Sequence, residues 1–226
     1  NAGDTVTVVF STSESIVTPS VQIAGQEAAV SGSGASWEAA YVVVANQVTE
    51  GATAIRIEYA DIAGNVGVAA DATTDESVVT LDLTPPTLLE VSIVSSNEAD
   101  SARANSGDVI TVSLLTDEII VSPTISIAGQ TGSVLGSGTN WNASYTVVTN
   151  QVEEGASSLS ITFEDLASNG GVTRTAVLDS SEVTIDLTTP TLTDVSIVSS
   201  NEADTARANE GDTITLTIAA SEALTL

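Results

Sequence analysis

The fifteen residues "VSIVSSNEADSARAN" that begin at Val91 return at Val195 as "VSIVSSNEADTARAN", with one change, Ser101 to Thr205. The 104-residue spacing holds along the chain without insertion or deletion. "NAGDTVTVVF" at Asn1 is matched by "NSGDVITVSL" at Asn105 and "NEGDTITLTI" at Asn209, and Trp37, Tyr41, Asp61 and Asp82 by Trp141, Tyr145, Asp165 and Asp186. Solenoid units run to roughly 20–50 residues, whereas about a hundred residues suffice for a small domain with its own core. The chain is therefore a row of similar domains: residues 1–84 form one that lacks its first strand, 85–188 a complete one, and 189–226 the first two strands of a third.

Within a repeat, segments such as "DTVTVVF", "PTISIAG", "SLSITFED" and "SEVTIDLT" alternate apolar residues with Ser or Thr and are rich in β-branched side chains. That is the pattern of half-buried strands, and no segment has helical periodicity. Ile110, Val112 and Leu114 share one face, opposite Val109 and Thr111. Val6, Val8 and Phe10 keep the same register in the first copy, as do Ile214, Leu216 and Ile218 in the third. A one-residue slip would expose the whole apolar set, so the register is specified. Strands are expected near 87–95, 108–116, 123–128, 131–135, 140–149, 157–164 and 171–187, the last broken around "DSSE". Turn signals separate them: "NSGD", "SP", "AGQ", "GSGTN", "EEGA" and "LASNGG". About seven short strands in 104 residues predict an all-β fold of tandem immunoglobulin-like antiparallel β-sandwiches, with Trp141 and Tyr145 in the core.

Composition narrows the chemistry. Thirty acidic residues against four arginines leave a formal charge of −26, which repels nucleic acid and anionic lipid surfaces. No stretch approaches the ~20 apolar residues of a membrane helix, so neither nucleic-acid binding nor membrane insertion is expected. The chain contains no Cys and no His, which removes disulfides, thiolate and imidazole metal sites, and Ser-His or Cys-His catalysis. Glycoside hydrolysis would need two carboxylates across a cleft. Here the acids sit at loop tips without an aromatic platform, so the reading is of a non-enzyme with no small-molecule substrate.

The segments "GDVITVSLLTDE", "PTISIAGQ", "GSGTNWNASY", "FEDLASN" and "IDLTTPT", with "YADIAGN" in the first copy, resemble the bacterial immunoglobulin-like (Big-type) domains strung in tandem in giant surface adhesins of Gram-negative bacteria. The resemblance covers essentially the whole chain, through motifs that are short and shared by several related groups. It implies an extracellular or cell-surface location and a role as extender modules, which hold a binding tip away from the cell and are stiffened by calcium. The partners it implies are neighbouring immunoglobulin-like repeats of the same or another chain.

The residues themselves suggest where calcium would bind. In such a sandwich the loop after the second strand and the loop between the last two strands meet the incoming linker at one pole. For the central domain this gathers Asp82 and Thr84 from "LDLTPP", Asp117 and Glu118 from "LLTDEI", and Asp165 and Asn169 from "FEDLASN". Glu14, Asp61 and Asn65 are the equivalents in the first copy, and Asp186 and Glu222 those at the next junction. A crowd of carboxylates is unfavourable without a cation, and calcium accepts six to eight oxygens in irregular geometry where magnesium demands a near-ideal octahedron. A second cluster at the opposite pole, Asn97, Glu98, Asp100 and Asp108 in "NEADSARANSGD", contains Arg103. It has two readings, another ion or a loop closed by an Arg103–carboxylate pair, and the second is preferred.

The chain starts in what corresponds to the second strand of a repeat and has no initiating Met. One reading is a window from a longer array. The other is strand exchange, in which "TLTDVSIVSS" of one molecule fills the first domain of another, making the chain part of an extracellular filament. The first domain is accordingly expected to show an open edge or a strand supplied from elsewhere.

Overall fold

The computed structural model describes residues 1–224; Thr225 and Leu226, the last two residues of the expected third-copy strands, lie outside the described residues. The described residues are all-β, with twenty short strands and no helix.

The second copy is the more complete. Strands β9 (Leu88–Ser95), β11 (Val109–Thr116), β15 (Asn140–Thr146) and β14 (Ser133–Ser137) form one antiparallel sheet in the order β14-β15-β11-β9. Facing it, β12 (Thr124–Ile127) lies between β13 (Gln130–Thr131) and β17 (Leu159–Thr162). A third, small sheet joins β10 (Arg103–Ala104), β18 (Thr184–Ile185) and β16 (Gly155–Ala156), with β10 parallel to β18. First, second, fifth and fourth principal strands in one layer and third and sixth in the other is the immunoglobulin arrangement.

The alternation read from sequence sets this layering. Along β11 the burial alternates without a break: Ile110, Val112, Leu114 and Thr116 are buried, and the residues between them are half-exposed. The inward set meets Val91, Ile93, Ile125, Ile127, Ala143, Ile161 and Phe163 in one core in which Val and Ile predominate. Trp141 sits opposite both Leu114 and Gly136. It packs at the rim of the core, half-buried instead of largely buried as expected, while its indole N–H donates to the Gly138 carbonyl at 3.1 Å. In the first copy Trp37 donates to the Gly34 carbonyl at the same 3.1 Å while only 7% exposed, so the indole N–H is satisfied at either depth. Tyr145 is likewise half-buried, its hydroxyl donating to Gln151.

The strand expected over 171–187 is mostly irregular. Only Thr184–Ile185 is strand, with one isolated bridge, Ile161–Arg174. The Asp179 carboxylate accepts from the Ser181 N–H and hydroxyl, and Ser180 takes a left-handed backbone at φ 66°. Such a side-chain turn competes with the sheet ladder.

The first copy repeats the plan with one difference. Strands β1 (Thr5–Ser11), β5 (Ser36–Val42) and β4 (Ala29–Ser33) form a three-stranded layer in the order β1-β5-β4. The opposite layer holds β3 (Gln26–Glu27), β2 (Ser20–Ile23) and β7 (Ile55–Glu58), and β6 (Gly51–Ala52) pairs with β8 (Thr80–Leu81). Among the described residues β1 pairs with β5 alone, whereas its counterpart β11 is flanked on both sides. The expected open edge is present. At the other end, β19 (Leu192–Ser199) and β20 (Ile214–Ala220) form a two-stranded ribbon that is exposed on both faces.

Candidate metal centre

The linker between the two cores is held by residues from both sides of it. Glu50, just before β6, accepts at one carboxylate oxygen from the Leu83 N–H at 2.7 Å and the Thr84 hydroxyl at 2.7 Å. Asp117, after β11, accepts from the Thr87 N–H at 2.8 Å and the Thr87 hydroxyl at 2.7 Å. The segment 82–87 is therefore gripped once from behind and once from ahead, and Pro86 within it is buried. Asn1 of the first copy also reaches across, its side-chain amide donating to the Ser168 carbonyl at 3.1 Å.

In the middle of this junction stand three carboxylates. One oxygen from each of Asp82, Glu118 and Asp165 lies within 4.8 Å of the others. Asp165 is 1% exposed, on a tight turn whose backbone bridges Ile120. One of its oxygens accepts from the N–H groups of Ala167 and Asn169, and the other from the Asn169 amide at 2.7 Å. That amide also donates to the Asp82 carbonyl at 3.1 Å and the Asp82 carboxylate at 3.4 Å, so Asn169 ties the second copy to the end of the first.

Electrostatics single out Glu118. Burial, followed by the negative charges of Asp82, Asp165, Asp117 and Glu50, pushes its carboxyl above its ordinary range. The backbone N–H of Thr87 and then its hydroxyl hold Asp117 below the usual carboxylate range. The Thr84 hydroxyl and then the Leu83 N–H do the same for Glu50.

Of the residues expected at this junction, Asp82, Glu118, Asp165 and Asn169 converge. Thr84 and Asp117 lie beside them, each engaged in the linker bonds just described. In the first copy Asn65 donates to Asp61 through its N–H at 2.8 Å and its amide at 2.6 Å; Glu14 and Asp61 line one open cleft at that pole. At the next junction Asp186 accepts from the Thr188 N–H at 3.2 Å, and one Glu222 oxygen is shielded from solvent with no hydrogen-bond partner among the described residues. Glu154 repeats the Glu50 grip, binding the Leu187 N–H at 2.9 Å and the Thr188 hydroxyl at 2.7 Å.

Sequence reading missed Glu50 and Glu154. Their signal was available: Glu-Gly-Ala recurs at 50–52 and 154–156, but reads as a turn. At the opposite pole of the second copy, Arg103 pairs with Asp100 at 3.5 Å, and Asn97 donates to Asp108 at 3.1 Å. The loop is closed by its own side chains, as preferred, and the exposed pair contributes only ~0–1 kcal/mol.

The donor set at the junction fits a hard cation. Three carboxylates of like charge and the adjacent Asp82 carbonyl are oxygen ligands of the kind calcium takes, and among the described residues no hydrogen-bond donor reaches the Glu118 carboxylate as donors reach its neighbours.

No protein-family model matches the chain, and no curated protein matches it. Among solved structures, the titin immunoglobulin tandem domains A164-A165 are similar at 11% identity, over 83% of this chain and 91% of that one, with a TM-score of 0.27. A second is the Bacteroides ovatus mixed-linkage glucan utilization locus protein SGBP-B in complex with a mixed-linkage heptasaccharide. It is 17% identical over 87% of this chain and 45% of that one, with a TM-score of 0.22. The chain thus spans less than half the length of the second structure. Likeness this distant carries nothing about function; the immunoglobulin-like assignment rests on the strand order.

A prediction about the linker grip follows from Glu50. A carboxyl lowered in the folded state stabilises the fold above its unfolded pKa, and that contribution is lost as pH falls through the lowered value. Wild-type chain is therefore expected to lose stability on acidification below the ordinary glutamate range. Glu50→Gln is expected to show a shallower loss there and a lower melting temperature at neutral pH. Melting curves at stepwise pH check this, and superimposable profiles for the two proteins would remove the grip.

Proposed function

We propose that the chain is a non-catalytic extracellular spacer, an extender region of a repetitive bacterial surface adhesin whose domain junctions are stiffened by calcium. The observation that carries the reading is the meeting of Asp82, from the exit of one domain, with Glu118 and Asp165 of the next. A cation held by oxygens of both domains resists their relative rotation, because swinging the linker pulls Asp82 away from the other two. Extracellular modules typically bind calcium with dissociation constants of ~10⁻⁴ to 10⁻³ M. The site would thus fill outside the cell and stay empty at cytosolic calcium, letting a pliable chain be secreted and then harden.

Calorimetric titration with calcium tests the reading. The wild-type chain is expected to bind in that millimolar-to-submillimolar range, with Asp82→Asn and Asp165→Asn each weakening binding by about tenfold or more. Equal affinity in all three proteins would remove the ion from this junction.

A further inference from the structure

Gly170 is a glycine that the fold does not demand. Its backbone lies outside the left-handed region, and a Cβ built on it would meet nothing within 4 Å. At Gly171, by contrast, a Cβ would lie 2.2 Å from the Phe163 ring. The same turn in the first copy carries Val66 at the position of Gly170. There Asp61 donates its N–H to the Asn65 carbonyl at 3.0 Å and Gly67 to the Tyr59 carbonyl at 3.0 Å, as Asp165 does to Asn169 at 3.2 Å and Gly171 to Phe163 at 3.0 Å. A β-branched residue therefore fits this turn, and what glycine adds at 170 is open access to its own nitrogen. We propose that Asn169–Gly170 is a self-modifying site, where the side-chain amide that ties the two domains is hydrolysed to a carboxylate through a cyclic imide.

Asn169 is the one asparagine of eleven that a glycine follows. Its counterpart Asn65 precedes a valine, whose branched Cβ crowds the approach to the nitrogen. The Gly170 nitrogen is also unengaged. The Glu164–Gly170 bridge is closed by the N–H groups of Asp165 and Gly171, and among the described residues that of Gly170 donates to nothing. Gly170 is exposed, so solvent base reaches it.

The reaction needs water alone. Hydroxide takes the Gly170 amide proton, and the nitrogen lone pair forms a bond to Asn169 Cγ. The bond from Cγ to Nδ2 breaks, and Nδ2 leaves as ammonia with a proton drawn from water, which restores the hydroxide. The product is a five-membered imide. Water then adds to one of its two carbonyl carbons and the bond from that carbon to the Gly170 nitrogen breaks, the nitrogen regaining its proton. Opening at Cγ gives an aspartate on the normal backbone; opening at the main-chain carbon gives an isoaspartate, with the backbone rerouted through Cβ and Cγ. In sum, an amide and water become a carboxylate and ammonia, with no change of oxidation state.

The leaving nitrogen is the one that joins the domains. Nδ2 of Asn169 donates to the Asp165 carboxylate at 2.7 Å, to the Asp82 carbonyl at 3.1 Å and to the Asp82 carboxylate at 3.4 Å. All three bonds go with it, and an anion takes its place between two others of like charge. A junction whose turn reads Asn-Val keeps its tie, while one that reads Asn-Gly loses it with age.

The test follows the full 226-residue chain through prolonged incubation at neutral pH in chelator, which keeps the outcome independent of the calcium reading. Trypsin cuts after Arg103 and Arg174, and fragmentation of the peptide between them locates any exchange of NH2 for OH and separates aspartate from isoaspartate. The mass gain is expected at Asn169 ahead of Asn105, Asn140, Asn142 and Asn150 on the same peptide. Gly170→Val, which restores the residue of the first copy, is expected to lose it. Asn169→Asp carries the side chain of the normal-backbone product and is expected to unfold at lower urea than wild type in chelator. Aged wild-type chain is expected to move toward that midpoint, while aged Gly170→Val stays in place. Absence of a gain at Asn169, or an equal gain in Gly170→Val, overturns the site. An Asn169→Asp midpoint equal to that of wild type overturns the severed tie.

Discussion

Gly136→Ala is expected to cost the second domain about 3–5 kcal/mol, a large share of the ~5–15 kcal/mol that a domain possesses. Gly136 has φ 148°, a backbone state that L-residues rarely adopt, and a Cβ there would lie 2.4 Å from the Asn140 carbonyl oxygen and 2.7 Å from the Trp141 Cα. Both obstacles are backbone and cannot rotate away. Gly107→Ala is the control: its φ is 100°, but nothing lies within 4 Å of the added carbon, so only the backbone cost of ~1 kcal/mol applies. Urea unfolding followed by Trp141 fluorescence in a Trp37→Phe background reads the second domain alone. Equal midpoint shifts for the two variants would show that the crowding against Trp141 is not felt.

That glycine also marks how far the sequence reached. The inward register of β11 was legible because Ile110, Val112 and Leu114 repeat at period two in three copies, and a core face tolerates no slip. The paired sheets followed from strand count and spacing. The path of 171–187 was not legible: "TAVLDSSEVT" has the β-branched content of a strand, but Asp179 spends its carboxylate on a local turn that no periodicity reveals. The same limit applies at the junction. Asp82, Glu118, Asp165 and Asn169 were identified because the fold sends their three loops to one pole. Whether a given oxygen faces that centre or a nearby N–H depends on backbone direction at single residues. Thus Asp117 turned to Thr87, and Glu50, read as part of a turn, became the clamp on Leu83 and Thr84. Trp141 was expected in the core and is half-buried, whereas Trp37, whose N–H makes the same bond to the Gly34 carbonyl at 3.1 Å, is 7% exposed, so nothing in the repeat's own sequence sets the depth of the ring.

Calcium is expected to raise the stability of the folded chain by about 2.7 kcal/mol at a hundredfold excess over its dissociation constant. The pH dependence carries the signature of Glu118. Its carboxyl is raised in the fold, by burial first and then by Asp82, Asp165, Asp117 and Glu50. Between the ordinary and the raised value the folded state therefore holds more protons than the unfolded one. In chelator, this group's contribution is present at low pH and is lost as pH rises through the raised value. Calcium needs the deprotonated carboxylate, so its stabilising increment grows over the same interval. Urea midpoints in calcium and in chelator should diverge with rising pH in wild type. In Glu118→Gln the divergence from this group should vanish. Parallel lines for wild type would sever Glu118 from the ion.

Small-angle X-ray scattering of the chain in calcium and in chelator tests the junction most directly. Asp82 sits at the exit of one domain and Glu118 and Asp165 on the next, so an ion among them must restrict the angle between the two. Calcium is expected to lengthen the maximum dimension and narrow the spread of conformations. Asp82→Asn, which retains the backbone turn at Thr84 but removes the charge, is expected to scatter alike in both conditions. Wild-type curves that superimpose with and without calcium would contradict the calcium lock and leave Glu50, Asp117 and the prolines of the linker as the whole of the junction's stiffness.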